Sequence, residues 1–262
     1  MHPLRSVTSV EELLSLPYFD ILACITSDSL HPGGGAATQV LLDACSIKHS
    51  ERVLEIGCGP GWTTRALVRA GLNVTVVEQS LLMAQAMLYH CLQENLAAPK
   101  LHITSIESFD TKNRSDRLFD VVILECVVGF INDRRAMEKV VQNCLSSNGR
   151  IAVLDVHYKA MPSQTKLDDL ADLIGYRFVP LTRLDWLSLF PKLQCKTFKS
   201  FVLRPAPDND VERLLNYPEV ATWLSAFPLT DRDKLARFLK TLGQAFQNNK
   251  NLMEGHIAVY SK

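Results

Sequence analysis

The sequence predicts an α/β protein built on a doubly wound, mostly parallel sheet. Seven short apolar or β-branched runs, at residues 53–56, 73–78, 101–104, 119–124, 151–156, 196–203 and 256–260, read as strands, and helical patterns separate the first of them. Strands alternating with helices make a mainly parallel sheet with right-handed crossovers. The run at 119–124, FDVVIL, is unbroken by polar alternation after Asp120 and is typical of a strand buried on both faces.

The elements follow in order. Ser9-Val10-Glu11-Glu12 has the form of a capping box and opens a short helix through Leu16, stopped at Pro17. Residues 28–35 (DSLHPGGG) read as a loop because of their proline and three glycines, and 36–45 as a helix leading into the core. Helical patterns follow the strand at 53–56 up to about Ala70, then cover 81–95 and 137–145, and Ser147-Asn148-Gly149 marks a turn. After Val156 come two short helical stretches with Trp186 and Phe190. Thr230-Asp231-Arg232-Asp233 then caps an amphipathic helix carrying Leu235, Phe238, Leu239, Leu242, Ala245 and Phe246 on one face. The expected organisation is an N-terminal helix and site-covering loop over 1–35, a ligand-binding core over 36–156, and the remaining strands over 157–262 with a helical substrate cap at about 204–250.

Composition narrows the function. Lys plus Arg and Asp plus Glu both number 28 among 262 residues, with no basic stripe, which disfavours a nucleic-acid partner. The seven cysteines form no CxxC pair and sit on mostly apolar segments, as reduced buried thiols do, and no metal site is expected. The N-terminal MHPLRSVTSVEELLSL lacks a signal-peptide core, and no run approaches the about 18 apolar residues of a membrane span. The expectation is a soluble, cytoplasmic protein with no membrane span and no signature of an oligomeric state.

Val53-Leu54-Glu55-Ile56-Gly57-Cys58-Gly59-Pro60-Gly61 carries the functional reading. A strand ends at Ile56 and a helix begins near Gly61, so the glycines let backbone approach a ligand at the carboxyl end of the sheet. A dinucleotide loop reads GxGxxG. Here the spacing is GxGxG, and Pro60 removes an N–H, which suits a ligand whose amino acid and ribose lie against the loop better than a pyrophosphate. Glu78, 17 residues after Gly61 at a strand end, is placed to accept hydrogen bonds from ribose hydroxyls, a role it would serve equally in an NAD site.

VLEIGCGPG followed by VVE closely resembles motifs I and II of the class I, Rossmann-like, S-adenosylmethionine-dependent methyltransferases, and the resemblance extends to the Phe119-Asp120 strand and to SSNGRIAVLD. His31-Pro32-Gly33-Gly34 is similar to an element preceding motif I in some small-molecule members. The resemblance implies a seven-stranded sheet and S-adenosylmethionine as cofactor. By it, Gly57, Gly59 and Gly61 contact the methionine and ribose, Glu78 the ribose, and Ile106 and Glu107 flank the adenine, with Glu55, Cys58 and Gln79 in the same candidate set. Ser-Ile-Glu-Ser replaces the Asp common in the third motif.

A sulfonium methyl is already activated, so transfer needs an in-line nucleophile in a dry site, and a base only where the acceptor must lose a proton. Glu125, at the end of the fourth strand, is a candidate for that work or for holding the methionine ammonium. His31 and His157 are candidate proton acceptors, and Asp155 ends the same fifth strand. The expected acceptor is a small organic molecule, with Trp186, Phe190, Tyr217, Trp223 and Phe227 in the region that would cover it. The alternatives are a protein or RNA methyltransferase, an inactive cofactor-binding relative, and an NAD-dependent oxidoreductase.

Overall fold

The computed structural model describes residues 1–26, 29–109, 118–203 and 210–262. Asp28, the start of the expected loop, and the first residues of the expected cap lie outside them. Helix α1 (Val10–Ser15) starts where Ser9 accepts a hydrogen bond from the Glu12 amide. The Glu12 carboxylate turns to the amide and hydroxyl of Thr8, so only the Ser9 half of the capping box forms. Pro17 then starts α2 (Tyr18–Ile25), a helix the sequence did not announce, and α3 (Gly34–Cys45) begins two residues earlier than expected. Gly33, with φ +82°, makes the turn into α3, and Gly35 sits inside its first turn because a Cβ there would meet the Trp62 ring at 2.4 Å.

The core follows as β1 (Arg52–Ile56), α4 (Trp62–Arg69), β2 (Asn73–Glu78), α5 (Leu81–Gln93), β3 (Lys100–Ile103), β4 (Phe119–Glu125), α6 (Arg134–Cys144) and β5 (Leu145–Tyr158). Beyond it lie α7 (Gln164–Ile174), α8 (Arg183–Leu187), β6 (Gln194–Phe201), α9 (Asp210–Leu215), α10 (Pro218–Leu224), α11 (Leu229–Lys250) and β7 (Met253–Ser261). The seven strands form one sheet in the order β3-β2-β1-β4-β5-β7-β6, with β7 antiparallel to both neighbours. The expected Ser147-Asn148-Gly149 turn is an irregularity within β5, where pairing to β4 jumps from Phe119–Leu145 to Val121–Arg150. Thr230 lies inside α11 rather than capping it; Pro228 precedes the helix.

Alternation along the central strands explains the layering. Leu54, Val122, Leu124, Ile151 and Val153 bury into one core cluster, and Val53, Val121, Ile123, Ala152 and Leu154 into another. A further apolar layer joins the two ends of the chain. Leu13, Ile21 and Leu22 pack with Leu215, Val220, Leu224, Leu235 and Leu239, so α1 and α2 share a core with the cap helices. This layer stands over the carboxyl ends of β1 and β2, with Ser80 donating to Asp20 at 2.5 Å. No helix among the described residues is long and apolar enough to cross a membrane.

Candidate active site

The turn after β1 is left-handed three times, with φ of +71°, +53° and +89° at Gly57, Gly59 and Gly61. Each serves a different end. A Cβ on Gly57 would lie 2.5 Å from Val127, and one on Gly61 2.5 Å from Met87 of α5. A Cβ on Gly59 would meet only Leu30, at 3.9 Å, and would otherwise stand in open cavity. Gly59 therefore leaves its backbone open to the cavity, while Gly61 does not line the cavity and lets α4 settle on α5.

Glu78, at the end of β2, is 7% exposed. One oxygen accepts from Ser80 N at 2.9 Å and the other from Gly59 N at 3.3 Å, which ties the strand end to the loop. Burial raises its pKa, as it does that of the neighbouring Cys58 thiol. Glu55, inside β1, accepts from the Thr64 hydroxyl at 2.6 Å, and burial pushes it up to about 8. It braces the start of α4 and reaches the cavity from below. Gln79, Ile106 and Glu107 line the cavity beyond Glu78. The Glu107 carboxylate accepts from Asp133 N at 3.5 Å.

Glu125, at the end of β4, is held from three sides. Thr38 Oγ1 donates to Oε2 at 2.8 Å, Thr63 Oγ1 donates to Oε1 at 2.8 Å, and His31 Nε2 stands 2.8 Å from Oε2. His31 also shares a 2.9 Å hydrogen bond with Thr38. Two of the residues expected at the site from separate segments are thus joined, and Thr38 and Thr63, which carry no motif, complete the network. Asp155, three residues before the end of β5, is buried, and desolvation pushes it up to about 7.

His157 stands elsewhere. The chain doubles back after β5, so that Tyr158 N donates to Leu181 O and Trp186 Nε1 to Val156 O. This covers the strand end, and the His157 ring packs against Phe198 and His256, 3.7 Å from Glu254 and outside the cavity. Trp186 and Phe190 lie in the main core and Tyr217 and Trp223 in the helical layer. Neither these nor Phe227 line the cavity, so the expectation that some of them would is not met. Its aromatic lining includes Tyr18, Phe19, Phe130, Tyr176 and Phe178 instead.

The cavity measures about 2120 Å³, beyond the roughly 300–1,000 Å³ of a site for one small ligand, and so has space for a donor and an acceptor together. The open space at Gly59 and the buried Glu78 carboxylate beside it fit the amino-acid and ribose portions of S-adenosylmethionine. Among the described residues no cluster of His, Cys, Asp and Glu is arranged to hold a metal ion.

Residues 54–151 match a methyltransferase domain family, Methyltransf_12. The chain is 24% identical over 159 residues to the uncharacterized methyltransferase YodH of Bacillus subtilis (strain 168), spanning 61% of this chain and 66% of that one. It is similar in structure to the phosphoethanolamine N-methyltransferase 2 of Haemonchus contortus, solved with phosphomonomethylethanolamine and S-adenosylhomocysteine. There the TM-score is 0.70 at 17% identity, covering 98% of this chain and 61% of that one. Coclaurine N-methyltransferase, bound to N-methylheliamine and S-adenosylhomocysteine, gives a TM-score of 0.62 at 12% identity, over 87% and 70% of the two chains. At such identities the structural likeness speaks for the fold, while the domain match covers the glycine loop, Glu78 and Glu125. Sheet order, loop and domain match agree on a methyltransferase domain of the class I, S-adenosylmethionine-dependent fold over residues 54–151.

Proposed function

We infer that the enzyme methylates a small organic molecule by direct in-line displacement. The observation that carries this reading is the cavity itself. It runs from Gly59 and Glu78 past Glu125 and is roofed by α2, the Tyr176–Phe178 stretch and α11. A roof of that kind shields the reacting atoms from bulk water and favours an acceptor small enough to sit inside the cavity. The absence of a basic stripe on the sequence argues in the same direction against RNA. Structurally similar proteins are named for the methylation of small amines and phospho-amines.

Bound S-adenosylmethionine supplies a methyl group on a sulfonium, activated without further help from the protein. The chain's own residues position and desolvate. Gly57 and Gly59 admit the ligand to the backbone, Glu78 accepts from the ribose, and Gln79, Ile106 and Glu107 border the adenine. Glu125, aligned by Thr38 and Thr63, faces the acceptor, and His31 receives a proton where the acceptor must lose one.

The test is transfer of tritiated methyl from S-adenosylmethionine to a cell extract divided into small-molecule, protein and RNA fractions. Label is expected among the small molecules. Reproducible label in protein or RNA alone would overturn the acceptor reading and leave the methyltransferase assignment in place.

A further inference from the structure

Four carboxyl groups from adjacent strand ends meet the cavity, with few cations to balance them. Glu55, Glu78 and Asp155 are 3%, 7% and 3% exposed, and the Glu125 side chain is 8% exposed. They sense one another, since Glu125 and Glu78 both push the Glu55 pKa upward. Among the buried residues lining the cavity none is Lys or Arg, and the His31 imidazole acts on Asp155 as well as standing 2.8 Å from Glu125 Oε2. Lys199, Arg213, Lys240 and Lys250 border the same cavity from β6, α9 and α11, exposed or half-buried, where water screens their charge.

Three of the four carboxyls are occupied. Glu55 holds Thr64, Glu78 holds the amides of Gly59 and Ser80, and Glu125 holds two hydroxyls and His31. Asp155 differs. Its Oδ1 accepts from Val156 N at 2.8 Å, while Oδ2 is buried without a hydrogen-bond partner among the described residues. A buried acceptor oxygen left in that state costs about 1–3 kcal/mol unless a ligand satisfies it.

The turn that faces Asp155 leads into an aromatic wall of the same cavity. The amides of Val127 and Val128 face the Asp155 carboxyl and open the short 3-10 turn that ends at Phe130. The Phe130 ring lies 4.9 Å from Phe19 and 5.4 Å from Phe178, and Phe19 lies 5.1 Å from Tyr176. Ring faces carry negative charge density and attract cations, methylated ammonium groups above all. A buried acid with one oxygen unpartnered among the described residues, near such a wall and with no buried Lys or Arg lining the cavity, suits an organic cation.

We propose that the acceptor is a small amine, held as its ammonium ion by Asp155 and by the wall of Phe19, Phe130 and Tyr176, and methylated on nitrogen. This rests on the small-molecule reading and narrows it. The ammonium gives one proton to the Asp155 carboxylate, which for this acceptor takes the place of His31 as proton acceptor, and the freed lone pair forms the N–C bond. The methyl C–S bond breaks with its electron pair remaining on sulfur, so the positive charge passes from sulfonium to methylammonium, and the Asp155 proton then leaves to water. Burial, which raises the Asp155 carboxyl to about 7, puts that exchange within reach near neutral pH.

Benzylamine, benzyl alcohol and benzoate share a shape and differ in charge, and each is titrated calorimetrically into protein saturated with S-adenosylhomocysteine. Wild type is expected to bind benzylamine at least about tenfold more tightly than the other two. Asp155→Asn should cut that advantage below about threefold, with S-adenosylhomocysteine affinity unchanged. Should Asp155→Asn fail to fold, Phe130→Leu, which removes one ring of the wall, takes the same test. No preference for benzylamine in wild type, or a preference that survives in the folded variants, would overturn the proposal. Fractionation keeps the two readings apart. Labelled small molecules that pass through a cation exchanger at acidic pH contradict the amine and spare the small-molecule reading. Label confined to protein or RNA contradicts the small-molecule reading, and the benzylamine preference then decides the amine site alone.

Discussion

The imidazole Nε2 of His31 lies 2.8 Å from Glu125 Oε2, joining the loop ahead of α3 to the end of β4. Thr38 and Thr63 fix both carboxylate oxygens, so the pair is aligned before any ligand arrives. Glu125→Gln keeps the shape and removes the charge. Turnover is expected to fall about 100-fold, the lower end of what a positioned proton-transfer group contributes, because His31 loses the carboxylate that positions it. S-adenosylhomocysteine affinity should change less than about threefold, in single-turnover and calorimetric measurements on the same preparation. Equal loss of both would make Glu125 a donor-binding residue.

Gly59 and Gly61 should fail in opposite ways. Asn tolerates the left-handed backbone at Gly59, so Gly59→Asn should melt within a few degrees of wild type while its side chain fills the donor's space and abolishes binding. Gly61→Ala puts a methyl 2.5 Å from Met87 at φ +89°, an overpacking of about 1–3 kcal/mol that lowers the melting temperature. Thermal unfolding alongside titration of S-adenosylmethionine distinguishes the two.

The parallel core was readable because its strands are continuous apolar runs and its loop has distinctive spacing. Glu125 and His31 were readable from their places at a strand end and a glycine-flanked loop. Thr38 and Thr63 were not, since a threonine on a helix has no periodic signature until the fold brings it to a carboxylate. The same holds for the aromatic wall. Trp186 and Phe190 drew attention as large side chains in the C-terminal region, yet they fill the main core, while Tyr18 and Phe19 reach the cavity from α2, whose short sequence gives no helix signal of its own. His157 misled because alternation along β5 shows which face it takes and not that residues 179–187 fold back to cover it.

Glu55 makes stability fall with rising pH. Its folded pKa is about 8 against an ordinary 4.5, so between those values the folded protein binds the proton more tightly than the unfolded chain, and the advantage is lost as pH climbs through the window. Glu55→Gln retains an acceptor for Thr64 and removes the titration. From about pH 6 to about pH 9 its melting temperature should drop at least ~3 °C less than that of wild type. Parallel curves for the two proteins would contradict this.

His256 acts at the acid end. The ring is fully buried, stacked on Phe198 with centroids 4.8 Å apart, and neither nitrogen has a hydrogen-bond partner among the described residues. Burial and the neighbouring His157 lower it to about 3, so below its ordinary 6.5 the unfolded chain takes up a proton that the folded protein refuses. Stability is therefore lost as pH falls from about 6.5 toward 3. His256→Phe should move the acid-unfolding midpoint, followed by tryptophan fluorescence, to lower pH by about half a unit or more.

The central claim places S-adenosylmethionine between Gly59 and Glu78. Calorimetric titration of S-adenosylhomocysteine, with NAD as control, into wild type, Gly59→Asn and Glu78→Ala tests it most directly. Wild type is expected to bind one equivalent and to ignore NAD, and Gly59→Asn to bind none. Glu78→Ala should weaken binding by about 1.5–3 kcal/mol, roughly ten- to a hundredfold, as loss of charged hydrogen bonds does. Equal affinity in all three proteins, or binding of NAD in place of S-adenosylhomocysteine, would contradict the account.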